Sequence, residues 1–223
     1  MNSLLVPVAS LLALVLGITI HEFSHAFSAE LLGDSTARRM GRMTLNPVAH
    51  FDPLGGLMIL VSSLSGFGFG WGKPVPVNPL YLHFGPRVGM GITSFAGPFS
   101  NIVLATLFAA PMRIASTRGV MMPAAAWILL GTVVSTNVAL AVFNLLPIYP
   151  LDGFNVLRGI LSTVRARWAY GLSDVMDRML SLGPMIFIGL LLVDRILPGR
   201  GIIWTILGPA YDLLMRLIVG IPS

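Results

Sequence analysis

The stretch Leu11-Leu-Ala-Leu-Val-Leu-Gly-Ile-Thr-Ile-His-Glu-Phe-Ser-His25 ends a largely apolar run with three ionisable side chains. The apolar segment that contains it extends from about residue 4 to residue 32, which exceeds the ~20 residues that a helix needs to cross the hydrocarbon core of a bilayer. On a helix, His21 and His25 lie one turn apart on the same face. A charged group inside such a helix costs at least ~2.5 kcal/mol on insertion scales, so we expect these residues to be there for their chemistry.

The spacing of the three side chains is the one that a metallohydrolase needs. Two imidazoles at positions i and i+4 can bind one metal ion, and Glu22, one position round the helix, can reach a water molecule there without binding the metal. Zinc lowers the pKa of a bound water towards ~7, and a carboxylate can then take its proton. The alternative is a helix end whose polar residues merely reach the membrane interface.

The composition places the chain in a membrane. Of its 223 residues, 55% are hydrophobic and 10% are charged, whereas a soluble domain has roughly 25% charged residues. The net charge of +5 does not indicate nucleic-acid binding, because the basic residues are spread between apolar segments, as expected for arginines that flank membrane helices. The start, Met1-Asn2-Ser3, lacks the positive region of a cleavable signal peptide, so we expect the first apolar segment to be retained.

The apolar segments predict a polytopic α-helical membrane protein with one domain over residues 1–223. We expect core helices at about 4–32, 88–112 and 124–146, and C-terminal helices at about 182–197 and 202–219. Residues from about 35 to 85 include a short apolar segment at 54–65 and the extended stretch Lys73-Pro-Val-Pro-Val-Asn-Pro79, in which each X-Pro pair disfavours helix. Residues 158–178 are typical of an amphipathic stretch at the interface.

A catalytic zinc usually has three protein ligands, so a third must come from elsewhere in the chain. The chain has no cysteine, which leaves His, Asp and Glu. Asp152 stands out because Pro147 and Pro150 break the helix just before it, and irregular backbone at membrane depth is tolerated where it lines a cavity. A helix end with an Asp-Gly turn is the alternative. The other candidates are Glu30, Asp34, His50, Asp52, His83, Asp174, Asp177, Asp194 and Asp212.

Three motifs in this order resemble those of the site-2 protease, or M50, family of intramembrane metalloproteases. They are His21-Glu-Phe-Ser-His25, Ala96-Gly-Pro-Phe-Ser-Asn101, and the stretch Asn144-Leu-Leu-Pro-Ile-Tyr-Pro-Leu-Asp-Gly153. The stretches 45–55 and 72–79 are similar to the short prokaryotic branch, without PDZ or CBS domains.

The resemblance implies a zinc-dependent endopeptidase that cuts transmembrane segments of substrate proteins, as in regulated intramembrane proteolysis. It implies that one zinc ion per chain is held by His21, His25 and Asp152, with Glu22 as general base. Asn144 would polarise the scissile carbonyl or position the substrate. The implied fold is a three-helix catalytic core with a small membrane-associated β-sheet or re-entrant region between the first and second core helices.

Substrate contacts are expected at Val75, Val77 and Asn101. The two valines belong to the extended stretch before Pro79, where Pro74 and Pro76 suit the edge of a sheet. An added substrate strand could pair with such an edge. A rigid turn that spaces the neighbouring segments is the alternative.

The orientation follows from the need to bring His25 and Asp152 together. The helices at 4–32 and 124–146 must then run parallel, so the region between the first two core helices must leave and re-enter the membrane on one side. On this scheme ten basic residues face the side of Asp152: Arg38, Arg39, Arg42, Lys73, Arg87, Arg158, Arg165, Arg167, Arg178 and Arg216. Four face the other side: Arg113, Arg118, Arg195 and Arg200. The excess places the zinc site nearer the cytoplasm of the cell membrane and the N-terminus outside.

Two other functions fit parts of the pattern. A metal transporter could use the His and Asp residues as a transit site, although it would not need Glu22 as a base. A catalytically silent scaffold with a structural zinc would need a fourth ligand, for which the sequence has no convincing candidate. The sequence carries no signal for an oligomeric state.

Overall fold

The structure is a computed structural model that describes residues 4–53, 55, 72–196 and 201–220. Seven α-helices account for most of these residues. They are α1 (Leu5–Leu31), α2 (Thr36–Arg39), α3 (Pro86–Arg118), α4 (Ala124–Asn144), α5 (Asp152–Thr163), α6 (Arg167–Ile196) and α7 (Gly201–Val219). Two 3₁₀ turns, Pro47–His50 and Pro79–Tyr81, lie between α2 and α3. Within the described residues, α1, α3, α4 and α7 are each long and apolar enough to cross a membrane.

Most of the buried positions of helix α1 recur every four residues. Its buried positions include Ala9, Ala13, Gly17 and Ala29, and this series, which rises in steps of four, also contains the two histidines. Small residues on one stripe allow neighbouring membrane helices to approach closely. The stripe therefore places His21 and His25 against α3 and α4, while the larger side chains of α1 face outwards.

The three long helices α1, α3 and α4 pack with alternating direction. The amide of Asn101 on α3 bonds to Gly17 O, and the carbonyl of Thr93, two turns earlier on α3, lies beside His25. Helices α1 and α3 are therefore antiparallel. Gly17 also lies against Asn137 in the middle of α4, whereas Asp152, beyond the end of α4, contacts His21. Helices α1 and α4 are therefore parallel, as the sequence predicted.

The region between α1 and α3 leaves and returns on one side of the helices, because His83 N donates to Leu32 O at 2.7 Å. The predicted β-sheet is not seen: neither 35–53 nor 72–85 contains a strand. The 3₁₀ turns in these ranges begin with Pro after an Asn whose side chain accepts a backbone N–H, which is local turn chemistry rather than strand pairing. Most of the predicted re-entrant segment, residues 54 and 56–71, lies outside the described residues.

The C-terminal part differs from the prediction. Of the predicted helix at 182–197, residues 182–196 form the second part of α6, which bends by 84° between Leu180 and Met185. The ten residues from Met185 to Asp194 extend about 15 Å at 1.5 Å per residue, which is too short to cross a core of about 30 Å. The carboxylate of Asp194 accepts from Ile203 N at the start of α7.

Helix α7 therefore runs from the side of Asp152 to the other side, where Arg113 Nη1 donates to Leu217 O at 3.0 Å. This contradicts the predicted side of Arg216, which was assigned to the side of Asp152 and lies near Arg113 at the other end of the helices. The assignment had counted 182–197 as a full crossing before α7. The position of Arg200 lies outside the described residues.

Helices α5 and α6 form a second layer beside α3. A Cβ atom on Gly91 of α3 would lie 3.1 Å from Gly159 Cα of α5, so the two backbones are in close contact. Arg87 at the start of α3 and Arg158 of α5 both pair with Asp177 of α6, at 2.7 and 2.5 Å. The packing of this layer holds the first turn of α5, which begins with Asp152, next to the histidines of α1.

Candidate active site

Three electron-rich atoms converge where α1 meets the start of α5. The Nε2 atoms of His21 and His25 are 3.0 Å apart. Asp152 Oδ2 lies 3.0 Å from His21 Nε2 and 3.3 Å from His25 Nε2. Both histidines are buried, so these atoms face one another rather than solvent. Among the described residues, this is the one group of three or more potential ligands close enough to hold a metal ion.

The hydrogen bonds behind the imidazoles determine which nitrogen faces the group. His25 Nδ1 lies 2.7 Å from the carbonyl oxygen of Thr93, which can only accept, so His25 carries its proton on Nδ1. His21 Nδ1 lies 2.6 Å from Asn101 Oδ1, and it donates for the same reason. Each Nε2 atom is then left with a free lone pair directed at Asp152. A second hydrogen bond of this kind is what orients histidine ligands at metal sites.

Two glycines make the close approach possible. A Cβ atom on Gly97 of α3 would lie 2.5 Å from His25 Cε1 and 2.7 Å from His21 Cε1, so any side chain there would displace both rings. A Cβ atom on Gly153 would lie 2.1 Å from Leu145 O, where the chain leaves α4 and turns back into α5. The Asp-Gly pair is thus needed to bring the carboxylate of Asp152 back to the histidines.

The carboxyl of Asp152 lies where a negative charge is stabilised. Burial raises its pKa, but protonation of the imidazoles reverses this effect: the charge of a protonated His25 and hydrogen bonds from protonated Nε2 atoms hold the pKa of Asp152 below its usual range. Its place in the first turn of α5 also favours a negative charge, because a helix N-terminus carries partial positive charge.

The donor set fits zinc. Zinc binds histidine nitrogen and carboxylate oxygen at about 2.0–2.2 Å, so ligand atoms of a tetrahedral site lie about 3.3 Å apart. The three observed separations, 3.0, 3.0 and 3.3 Å, are close to that value. Two imidazole lone pairs and a carboxylate that converge on one point repel one another unless they share a cation.

Glu22 lies beside this group without joining it. Its Oε2 atom accepts a hydrogen bond from Val75 N at 2.9 Å. The contact connects the predicted base with the extended stretch 73–78, which lies in the last part of the connection between α1 and α3. Asp34 holds the far end of that stretch by accepting from Asn78 N at 2.6 Å, and Arg42 holds the near end by donating to Lys73 O at 2.6 Å.

The remaining predicted site residues lie around the centre. Asn144 ends α4, and its Nδ2 donates to Leu140 O at 2.9 Å. Val75 and Val77 are half-buried in the extended stretch. Asn101 is fully buried and hydrogen-bonded to His21, so the observed contacts place it behind the His21 ring, and its substrate-binding role stays a prediction. His50, a candidate ligand from the sequence, is buried away from the group and bonds to Thr44 O.

Sequence reasoning missed Thr93, Gly97 as a contact of both imidazoles, and Asn137. Thr93 acts through its backbone carbonyl, for which no side-chain pattern exists. Asn137 did carry a signal, because an amide in the middle of an apolar helix needs an internal hydrogen-bond partner in lipid.

Comparisons with known proteins point in one direction. The model of peptidase family M50 matches residues 108–172. Putative zinc metalloprotease YwhC of Bacillus subtilis is 33% identical over 221 residues, which cover 94% of this chain and 90% of that protein. Putative zinc metalloprotease Rip2 of Mycolicibacterium smegmatis is 36% identical over 149 residues, 64% of this chain and 53% of that protein. The chain therefore matches about half the length of Rip2. No solved structure matches the chain significantly.

Proposed function

This chain belongs to peptidase family M50, and from that premise we propose that it is a zinc-dependent endopeptidase that cuts transmembrane segments of substrate proteins within the membrane. The observation that carries the proposal is the convergence of His21 Nε2, His25 Nε2 and Asp152 Oδ2 within 3.3 Å of one another, beside Glu22. We assign these three residues as ligands of one zinc ion per chain.

When bound, zinc supplies the Lewis acidity that activates a water molecule and polarises a carbonyl. Glu22 is the general base: it takes a proton from the attacking water on its carboxylate and returns it to the nitrogen of the leaving amine. Val75 N–H, at 2.9 Å from Glu22 Oε2, orients the carboxylate and leaves Oε1 to receive the proton. Asn144 donates to the scissile carbonyl once its Nδ2 turns away from Leu140 O.

The extended stretch 73–78 is the proposed substrate contact. A substrate helix hides its carbonyls in i to i−4 hydrogen bonds, so it must unwind before water can attack. Each freed backbone group then needs a partner in lipid. Pro74 and Pro76 have no N–H, and no described residue accepts from Val77 N, so the backbone around Val77 can pair with an incoming strand. This would place the substrate next to Glu22.

We place the protein in the cell membrane with its zinc ligands nearer the cytoplasm, and regulated intramembrane proteolysis is its proposed role. The basic residues Arg38, Arg39 and Arg42 follow α1 on the side of Asp152. Positive charge concentrated on one side of the spans supports a cytoplasmic location for that side.

Three substitutions test the assignment of base and ligand. Glu22→Gln should lower cleavage of a transmembrane substrate by at least a hundredfold while zinc stays at one per chain, because the residue is a base and not a ligand. Asp152→Asn should lower both zinc content and cleavage. Glu30→Gln is the matched control: Glu30 is the other glutamate of α1, and it pairs with Arg38 away from the site. It should keep both zinc and activity.

Zinc content and substrate cleavage are measured on the purified protein in detergent and in liposomes. Loss of zinc in Glu22→Gln would make Glu22 a ligand, and full cleavage by that variant would remove it as the base. Zinc flux into liposomes without cleavage of any membrane peptide would favour the transporter.

A further inference from the structure

Asn137 carries a fully buried amide in the middle of α4, and the proposed mechanism does not use it. Its surroundings are apolar: Val133, Val134, Val138 and Ala141 are the buried neighbours on the same helix. A polar side chain at this depth costs free energy unless its donors and acceptors are satisfied within the protein. The hydrogen-bond partners of Asn137 connect it, through Asn101, to the proposed metal ligand His21.

The hydrogen bonds form a relay across three helices. Asn137 Nδ2 donates to Val133 O at 2.8 Å, and Asn137 Oδ1 accepts from Asn101 Nδ2 at 2.8 Å. Asn101 Nδ2 also donates to Gly17 O at 3.1 Å. Asn101 Oδ1 then accepts from His21 Nδ1 at 2.6 Å. The relay therefore runs from α4 through α3 to α1.

The backbone gives the relay its direction. Val133 O and Gly17 O are carbonyls that can only accept, so they oblige the Nδ2 atom of each asparagine to face them. Asn137 must then present its oxygen to Asn101, and Asn101 must present its oxygen to His21. With an oxygen opposite Nδ1, the His21 proton resides on Nδ1 and Nε2 is free to bind metal. A flipped Asn101 would present an N–H and favour the opposite tautomer, in which Nε2 carries the proton.

We propose that Asn137 is a positioning residue for the zinc ligand His21, and that it acts by fixing the amide orientation of Asn101. The inference rests on the proposed function for the identity of the metal. The effect on the tautomer of His21, however, is expected in the metal-free protein as well. Gly17 O alone leaves one N–H of Asn101 without an acceptor in an apolar interior, so both acceptors are needed to hold the amide in one orientation.

The test uses Asn137→Leu, Asn101→Leu and the double variant. Residues that hold a metal-binding histidine typically contribute 10–100-fold to metal affinity. We expect zinc affinity, measured by competition with a chelator, to fall about tenfold in Asn137→Leu and further in Asn101→Leu. The double variant should bind zinc no more weakly than Asn101→Leu alone, because Asn137 acts through Asn101. The matched control is Thr132→Val, which removes a hydroxyl of α4 that bonds only to Ile128 O; it should bind zinc like the unmodified chain.

A second measurement reads the imidazole directly. Nitrogen NMR of histidine-labelled, zinc-free protein distinguishes the two neutral tautomers, and His21 should change from the Nδ1–H form to a mixture in Asn137→Leu. If Asn137 only packs α4 against α3, its effect on zinc affinity will add to that of Asn101→Leu and the tautomer will not change. Either result would overturn the proposal. If the unmodified chain binds no zinc, the proposed function fails, and the tautomer of His21 still decides the role of Asn137.

Discussion

Gly97 shows how much of the site depends on single atoms. The two imidazoles lie against its Cα, and the nearest ring atoms are closer to the position of a missing Cβ than carbon atoms normally approach. Hydrogen bonds from the two Nδ1 atoms to Thr93 O and Asn101 Oδ1 fix the position of each ring, so neither ring can move away without disturbing such a bond. An added methyl group must therefore move Nε2 atoms whose present separations fit a zinc ion.

We expect Gly97→Ala to lower zinc affinity by at least about tenfold and to lower cleavage with it. Alanine favours helix over glycine by about 1 kcal/mol, so the loss would not reflect a weaker helix. Gly131→Ala is the control, since the atom nearest its new Cβ is Met112 Cε at 3.8 Å. Chelator competition measures the affinity of both. Equal zinc affinity in the two variants would show that the rings tolerate displacement.

The stretch 73–78 is the element through which substrate and base would meet. Its backbone is anchored at both ends, by Arg42 and by Asp34, and Glu22 holds it in the middle through Val75 N. An element held at three points keeps its shape when a substrate arrives. Because Pro76 O and the N–H and carbonyl of Val77 make no hydrogen bond to the described residues, this part of the stretch can act as a docking edge without first breaking its own structure.

Cysteine cross-linking tests this edge, since the chain has no native cysteine. In the Glu22→Gln background, which should bind but not cut, Val75→Cys and Val77→Cys should cross-link to a substrate that carries a cysteine near the scissile bond. Leu213→Cys, exposed on α7, is the control and should not. Substrates with Gly, Pro or Asn near the scissile bond should be cut faster, because they unwind at lower cost. Cross-links confined to α7 would exclude the edge.

Among the described residues of the molecule, the helices α1, α3, α4 and α7 are each long and apolar enough to span a membrane. Their contacts place the start of α1, the end of α3 and the end of α7 on one side. The start of α5 lies on the other side. So do the ion pairs of Asp177, which join α6 to α3 and α5. His21, His25 and Asp152, the proposed zinc ligands, are thus close to the side that carries most of the basic residues.

Labelling with a membrane-impermeant thiol reagent tests this arrangement. Met40 and Met121 are two exposed methionines, 63% and 96% accessible, at opposite ends of the spans. In intact cells Met121→Cys should react, and Met40→Cys should react only after permeabilisation. Arg216→Cys should follow Met121→Cys, because α7 ends beside Arg113. If Arg216→Cys, like Met40→Cys, reacted with the reagent only after permeabilisation, the observed direction of α7 would be wrong.

The sequence alone determined what depends on neighbours along one helix. Apolar length indicated a polytopic membrane protein, and the i, i+4 spacing put His21 and His25 on one face, because both follow from the geometry of a single helix. The resemblance to family M50, drawn from three motifs, is confirmed by the comparisons. That resemblance also named Asp152, which residue chemistry had only favoured among several acids.

Tertiary structure alone decided how the helices are aligned with one another. Which carbonyl faces His25, which glycine lies under both rings and which amide stands behind Asn101 depend on the relative height and rotation of α1, α3 and α4. The direction of α7 likewise depends on a bend within α6, and hydropathy does not distinguish a bent helix from a crossing one. Such features arise from packing between segments far apart in the chain, whereas a sequence pattern records only the faces that each segment buries.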